Sequence, residues 1–122
     1  MSKFSYTAQE WAERIRAEDD AFWAEKPKPE FGFEELVRQI ASDSAELLLS
    51  KHRDYGPSNI AGAPGGALNG LRVRLHDKLA RLNHLIDTGA DPMHESLIDT
   101  AVDLTNYGII LQLVLLGEWP EK

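Results

Sequence analysis

An all-α helical bundle is the fold class this sequence predicts. Three observations predict it. Apolar residues recur at three- and four-residue steps in successive segments; no stretch alternates apolar and polar residues as a half-buried strand does; and no turn dipeptide separates two strand-like runs. The chain has 122 residues, 43% of them hydrophobic and 27% charged, which is the length and composition of one globular domain. A domain of that size buries about two-thirds of its unfolded surface. Cysteine is absent, which removes disulfides, thiolate metal sites and cysteine nucleophiles.

Four segments are separated by their punctuation. The first, over about residues 7 to 25, starts at Thr7 with Glu10 three residues on, the spacing of a capping box. Trp11, Ile15, Phe22 and Trp23 give it an apolar stripe, and the KPKPEFG run that follows breaks any helix. The second, over about 33 to 53, sets Phe33, Leu36, Val37, Ile40, Ala41, Ser44, Leu47 and Leu48 on one helical face, with Glu35, Arg38, Gln39, Asp43 and Glu46 opposite. Between Asp54 and Gly70 lie five glycines and two prolines, and so long a linker reads as a lid or binding loop. The third, over about 71 to 87, repeats Leu71, Leu75, Leu79, Leu82 and Ile86 and is stopped by Thr88-Gly89. The fourth is expected from Pro92 to Leu116, with proline in the first turn and Gly117 as the stop. This predicts an N-terminal helical arm over 1–32 and a helical domain over 33–122. The all-round apolarity of Ile109 to Leu116 asks for more cover than two neighbouring helices give, so a homodimer or higher homo-oligomer that completes the bundle is expected.

With 20 acidic against 13 basic residues the formal charge is -7, which argues against duplex DNA as a direct partner, because phosphate neutralisation needs the opposite balance. Residues 1–20 lack the apolar core of a secretory leader, so none is expected. The most apolar run, IILQLVLL, is far shorter than the roughly 20 residues of a membrane span. A cytoplasmic protein without a membrane partner is the expectation.

Chemistry is concentrated in two places. In ESLIDTAVDLTNYG, a helix beginning at Pro92 stacks Glu95, Asp99 and Asp103 at four-residue steps, with Asn106 and Tyr107 continuing the ridge. Like charges so placed repel, and two cations answer the repulsion. One is a hard divalent ion, Mg2+ or Mn2+, held by these carboxylates with Asp77 or Glu46 as a further ligand. The other is the basic ridge of Arg74, Lys78 and Arg81 on the third segment, which would make a salt-bridge network. The second place is KHRDYGPSNI, where Lys51, His52 and Arg53 suit either a helix C-terminus or an anionic ligand, and where Tyr55 and Asn59 suit a nucleobase. GAPGGALNG lacks the lysine and hydroxyl of a phosphate-binding loop and no strand precedes it. His76, His84 and His94 form no zinc pair, Asp43 and Glu46 read as an exposed pair, the three tryptophans read as packing residues, and no serine sits in a nucleophile elbow.

Read together, KHRDYG, RLHDKLARL and ESLIDTAVDLTNYGI resemble the motifs of the nucleotide modification associated domain family, the first of that name, found in phages and bacteria. The resemblance covers about residues 33 to 116. More distantly the chain resembles the MazG-like all-α nucleoside triphosphate pyrophosphohydrolases, which hold magnesium with one Glu-x-x-Glu pair and one Glu-x-x-Asp pair. Asp103 falls at the aspartate of the second pair, but Thr100 stands where its glutamate should be, and the first pair is either Asp43 with Glu46 or absent. The resemblance implies a Mg-dependent hydrolase acting on a (deoxy)nucleoside triphosphate. Glu95, Asp99 and Asp103 would be the catalytic metal ligands, with Asp77 beside them. Lys78, Arg74 and Arg81 would neutralise phosphates, and Tyr55, Asn59 and Asn106 would contact base or sugar. The alternatives are a non-catalytic nucleotide sensor, sponge or accessory subunit, favoured by Thr100, and a structural protein whose ridges only pair with each other.

Overall fold

In the computed structural model the chain is described over residues 32–121, and these residues form four helices and no strand. They are α1 (Phe33–Tyr55), α2 (Ser58–Ala61), α3 (Ala67–Thr88) and α4 (Leu97–Leu115). The all-α bundle is the fold; the expected arm helix over residues 7 to 25 lies outside the described residues.

Helices α3 and α4 make the main pairing. They run antiparallel, so Leu85 near the end of α3 meets Leu97 at the start of α4, with Leu82 and Ile86 packed around them. At the other end Leu71 meets Ile110, and the short α2 drops Ile60 onto both. Leu48 of α1, Tyr107, Leu111, Val114 and Trp119 close this second cluster. Burying an aliphatic side chain of this size is worth about 1.5–3 kcal/mol, so the two clusters hold α4 at both ends.

The segment from Asp54 to Gly70 is not the long lid that its glycines suggest. Ile60 is 2% exposed, and burying it folds the middle of the segment into α2. Only Gly56-Pro57 and the stretch from Gly62 to Gly66 remain as connectors.

Helix α4 begins at Leu97, five residues later than Pro92 predicts. The cause is local: Ser96 Oγ accepts from the Asp99 N–H at 3.0 Å and Asp99 Oδ2 accepts from the Ser96 N–H at 3.3 Å, a reciprocal capping box. Its other end closes as a Schellman turn, with Glu118 N–H on Leu113 O, Gly117 N–H on Val114 O, and Gly117 at φ 73°. That turn sends Trp119 back against the bundle.

Helix α1 is the exception to the expected packing. Of its apolar stripe only Ser44 is buried, Phe33 is 82% and Ile40 61% exposed, and every residue from 33 to 43 lies open. On α3, Leu79 is exposed where periodicity predicts it inside, and Leu85 takes the buried place instead. Helix α4 is long and apolar enough to cross a membrane by length and composition. It is also the central helix of the bundle, packed on both α3 and α1.

Candidate functional site

One end of the bundle holds a cavity of about 490 Å3, floored by Leu48, Ile60 and Ile110. That volume lies in the range of small-molecule sites, roughly 300–1,000 Å3. Helix α1 brings Lys51, His52 and Tyr55 to it, the α1–α2 connection brings Gly56, α2 brings Asn59, and α3 brings Arg74. Helix α4 brings Asp103, Asn106 and Tyr107, and the C-terminal turn brings Trp119. Leu48, His52 and Tyr55 fall on one face because their spacings are four and three residues.

Several contacts stiffen the walls. Trp119 donates its indole N–H to Pro57 O at 3.1 Å, and its ring meets that of His52 edge-on at 5.1 Å. Arg74 donates to Asn59 O at 3.3 Å and stands 5.9 Å from the Tyr107 ring centroid, a cation–π distance. Two buried polar atoms on the lining have no protein partner, His52 Nδ1 and Asn106 Oδ1.

Beside the cavity lies a charge cluster. Lys78 Nζ donates to Glu95 Oε1 and lies the same 2.8 Å from Asp103 Oδ2, and Lys51 Nζ is 3.8 Å from Asp103 Oδ1. Arg81 places Nε 3.0 Å from Glu95 Oε2, a charge contact off the N–H direction, and donates from Nη2 to Glu95 O. Burial would depress the Lys78 ammonium, but the hydrogen bonds and charges of Asp103 and Glu95 outweigh it and hold its pKa above the ordinary lysine value. Burial likewise pushes the Asp103 carboxyl up. The hydrogen bond from Lys78, the neighbouring Glu95 carboxyl and the charges of Lys78 and Lys51 prevail and hold it below its ordinary value.

The predicted site residues therefore separate into groups. Lys51, Tyr55, Asn59, Arg74, Asp103 and Asn106 meet at the cavity. Lys78, Arg81 and Glu95 form the adjoining cluster. Asp99 is exposed and serves the α4 cap, and Asp77 is exposed on α3. The three-carboxylate stack does not form, because Glu95 precedes the helix instead of standing on it. Asp43 accepts from Gln39 at 2.8 Å, and both Asp43 and Glu46 lie exposed and off the cavity. No group of three or more Asp, Glu or His able to hold a metal is present among the described residues. The carboxylates the resemblance implies do not fit a magnesium centre as they stand, since the Lys78 ammonium already lies between the two nearest.

Thr100 explains its own departure from the Glu-x-x-Asp pattern. It is fully buried, and its Oγ1 lies 3.2 Å from both Glu95 Oε2 and Ser96 O. A glutamate there would be forced into the helix interface, whereas threonine tethers Glu95 from below. Sequence reasoning offered His52 to an anionic ligand without foreseeing its ring contact with Trp119, and it took Trp119 for packing alone. The signals were present: His52 lies one helical turn before Tyr55, and Trp119 follows a helix-ending glycine by two residues.

Fold and site together define a small all-α bundle whose central helix carries a buried amide and half of a charge cluster into an aromatic cavity. No protein-family model, curated protein or solved structure matches the chain.

Proposed function

We propose that this protein binds a nucleoside phosphate in the cavity at the end of the bundle, as a sensor, sponge or accessory subunit in nucleotide or DNA-base modification metabolism. The observation that carries this reading is the convergence of Lys51, Arg74, Tyr55, Asn59 and Asn106 on one cavity from four helices. Such a ligand has a flat aromatic part and an anionic part. The cavity meets the first with Tyr107, Trp119, Ile60 and Ile110 and the second with Lys51 and Arg74. The resemblance to the nucleotide modification associated domain family supports the ligand class and a place in the cytoplasm of a bacterium, phage-infected if the gene is a phage's.

Hydrolysis is the second reading, favoured by Asp103 lying on the cavity wall with Glu95 one ammonium away. A Mg2+ or Mn2+ ion would supply Lewis-acid polarisation of the phosphate for a pyrophosphohydrolase-like reaction, with Asp103 and Glu95 as its ligands only if Lys78 gave up its place between them. It stands second because Lys78 already balances both carboxylates.

One experiment separates the readings. The purified chain is titrated calorimetrically with canonical and modified (deoxy)nucleoside triphosphates, with magnesium and with chelator, while chromatography follows monophosphate and pyrophosphate. Binding without turnover, weakened about tenfold or more by Lys51→Ala or Arg74→Ala, is the expected result. Metal-dependent monophosphate formation lost in Asp103→Asn would establish the hydrolase. Absence of any binding would end both readings.

A further inference from the structure

Asn106 is 8% exposed, sits on the cavity wall, and leaves Oδ1 without a protein partner. A buried carbonyl oxygen with nothing to accept from is costly, and natural folds seldom keep one without a use. An amide oxygen only accepts, so whatever satisfies it must bring an N–H or O–H. His52 Nδ1, from α1, is a second unmet buried atom on the same wall, and an imidazole nitrogen either donates or accepts according to its tautomer.

The layout orients the ligand. Lys51 is exposed, whereas Asn106, Ile60 and Ile110 are buried. A nucleotide whose phosphates stay with Lys51 and Arg74 therefore enters base first, and the edge farthest from its sugar, the Watson–Crick edge, meets the buried amide. On that edge each common base sets an N–H beside an acceptor. We infer that Asn106 Oδ1 reads the base by accepting this N–H, so that the site takes bases carrying the donor and rejects those in which it is missing or alkylated. The inference rests on the nucleotide reading above and adds its selectivity: His52 Nδ1 meets the neighbouring base atom, and Asn106 sets the requirement for a donor.

The test uses the full chain and ligand pairs that differ only at the donor. Adenosine triphosphate is compared with purine riboside triphosphate, cytidine triphosphate with the pyrimidin-2-one riboside triphosphate, and uridine triphosphate with its N3-methyl derivative, each by calorimetric Kd. For whichever base binds, the member lacking the donor is expected to bind about tenfold more weakly, and Asn106→Leu should bring the ratio close to one. Asn106→Ser repeats the comparison if the leucine variant fails to fold. Equal affinity within the pairs, or a ratio that survives both substitutions, would overturn the inference while leaving the nucleotide site standing. Failure of every nucleotide to bind would instead remove the nucleotide reading and this inference with it.

Discussion

Lys78 is the residue on which the charge cluster turns, because one ammonium serves two carboxylates from separate parts of the chain. Replacing it by methionine leaves Asp103 and Glu95 facing each other and is expected to cost about 1–3 kcal/mol, read as a fall in the denaturation midpoint. The cluster also fixes the sign of the pH dependence. The Asp103 carboxyl is held low, so its contribution is present above the unfolded aspartate value of about 3.9 and is lost as pH falls through the folded value. The Lys78 ammonium is held high, so its contribution is complete below the unfolded lysine value of about 10.4 and is lost as pH rises through the folded one. Urea titrations from pH 3 upward should show stability declining at both ends in the parent, with both limbs shallower in Lys78→Met. Asp99 and Asp103 offer a paired comparison. Asp99→Asn is expected to leave nucleotide affinity unchanged, since Asp99 only caps α4, whereas Asp103→Asn is expected to alter it.

At the scale of the element, α4 owes its boundaries to two end structures. Ser96→Ala removes the capping hydroxyl and should cost about 1 kcal/mol. In a chain of 122 residues that lowers Tm by about 4 °C. Gly117→Ala forces a side chain onto φ 73° and should cost a similar amount, about 1 kcal/mol. The two variants differ in their effect on binding, because only the second disturbs the turn that returns Trp119 to the cavity. Helix identity was legible in the sequence because periodicity and stop residues agree, as at Thr88-Gly89, where Gly89 takes the left-handed cap. The start of α4 was not, because Pro92 and Ser96 both qualify as starts and only the Ser96–Asp99 reciprocity decides between them. That five-residue slip moved Glu95 off the helix, and with it went the carboxylate stack. The basic ridge opposite the acidic one was legible from spacing, and the pairing of the ridges is what Lys78 and Arg81 make. The cavity was half legible. Its polar members stand out by type, while His52 and Trp119 join them only through long-range packing.

For the whole molecule, the uneven cover of the apolar surface matters most. Helix α1 is 23 residues long against 19 for α4, about 34 Å against about 28 Å at 1.5 Å per residue. Phe33, Val37 and Ile40 stay exposed at one end of it, and Leu115 and Leu116 are exposed where α4 stops. Exposed apolar side chains clustered along one helix in this way mark an interaction site. The homo-oligomer expected from the sequence is our proposal for what it serves. Sedimentation equilibrium of the full chain should then give a mass above that of the monomer, and Ile40→Glu should return it toward the monomer. A parent that sediments as a monomer across the micromolar range would count against the proposal.

The Schellman turn at Gly117 places an indole against an imidazole at the mouth of the site, and this makes the molecule its own optical gauge. The emission of an indole shifts when solvent next to it is displaced. With Trp11 and Trp23 replaced by phenylalanine, the light from Trp119 alone would report the state of the cavity, without any attached dye, as ligand is varied.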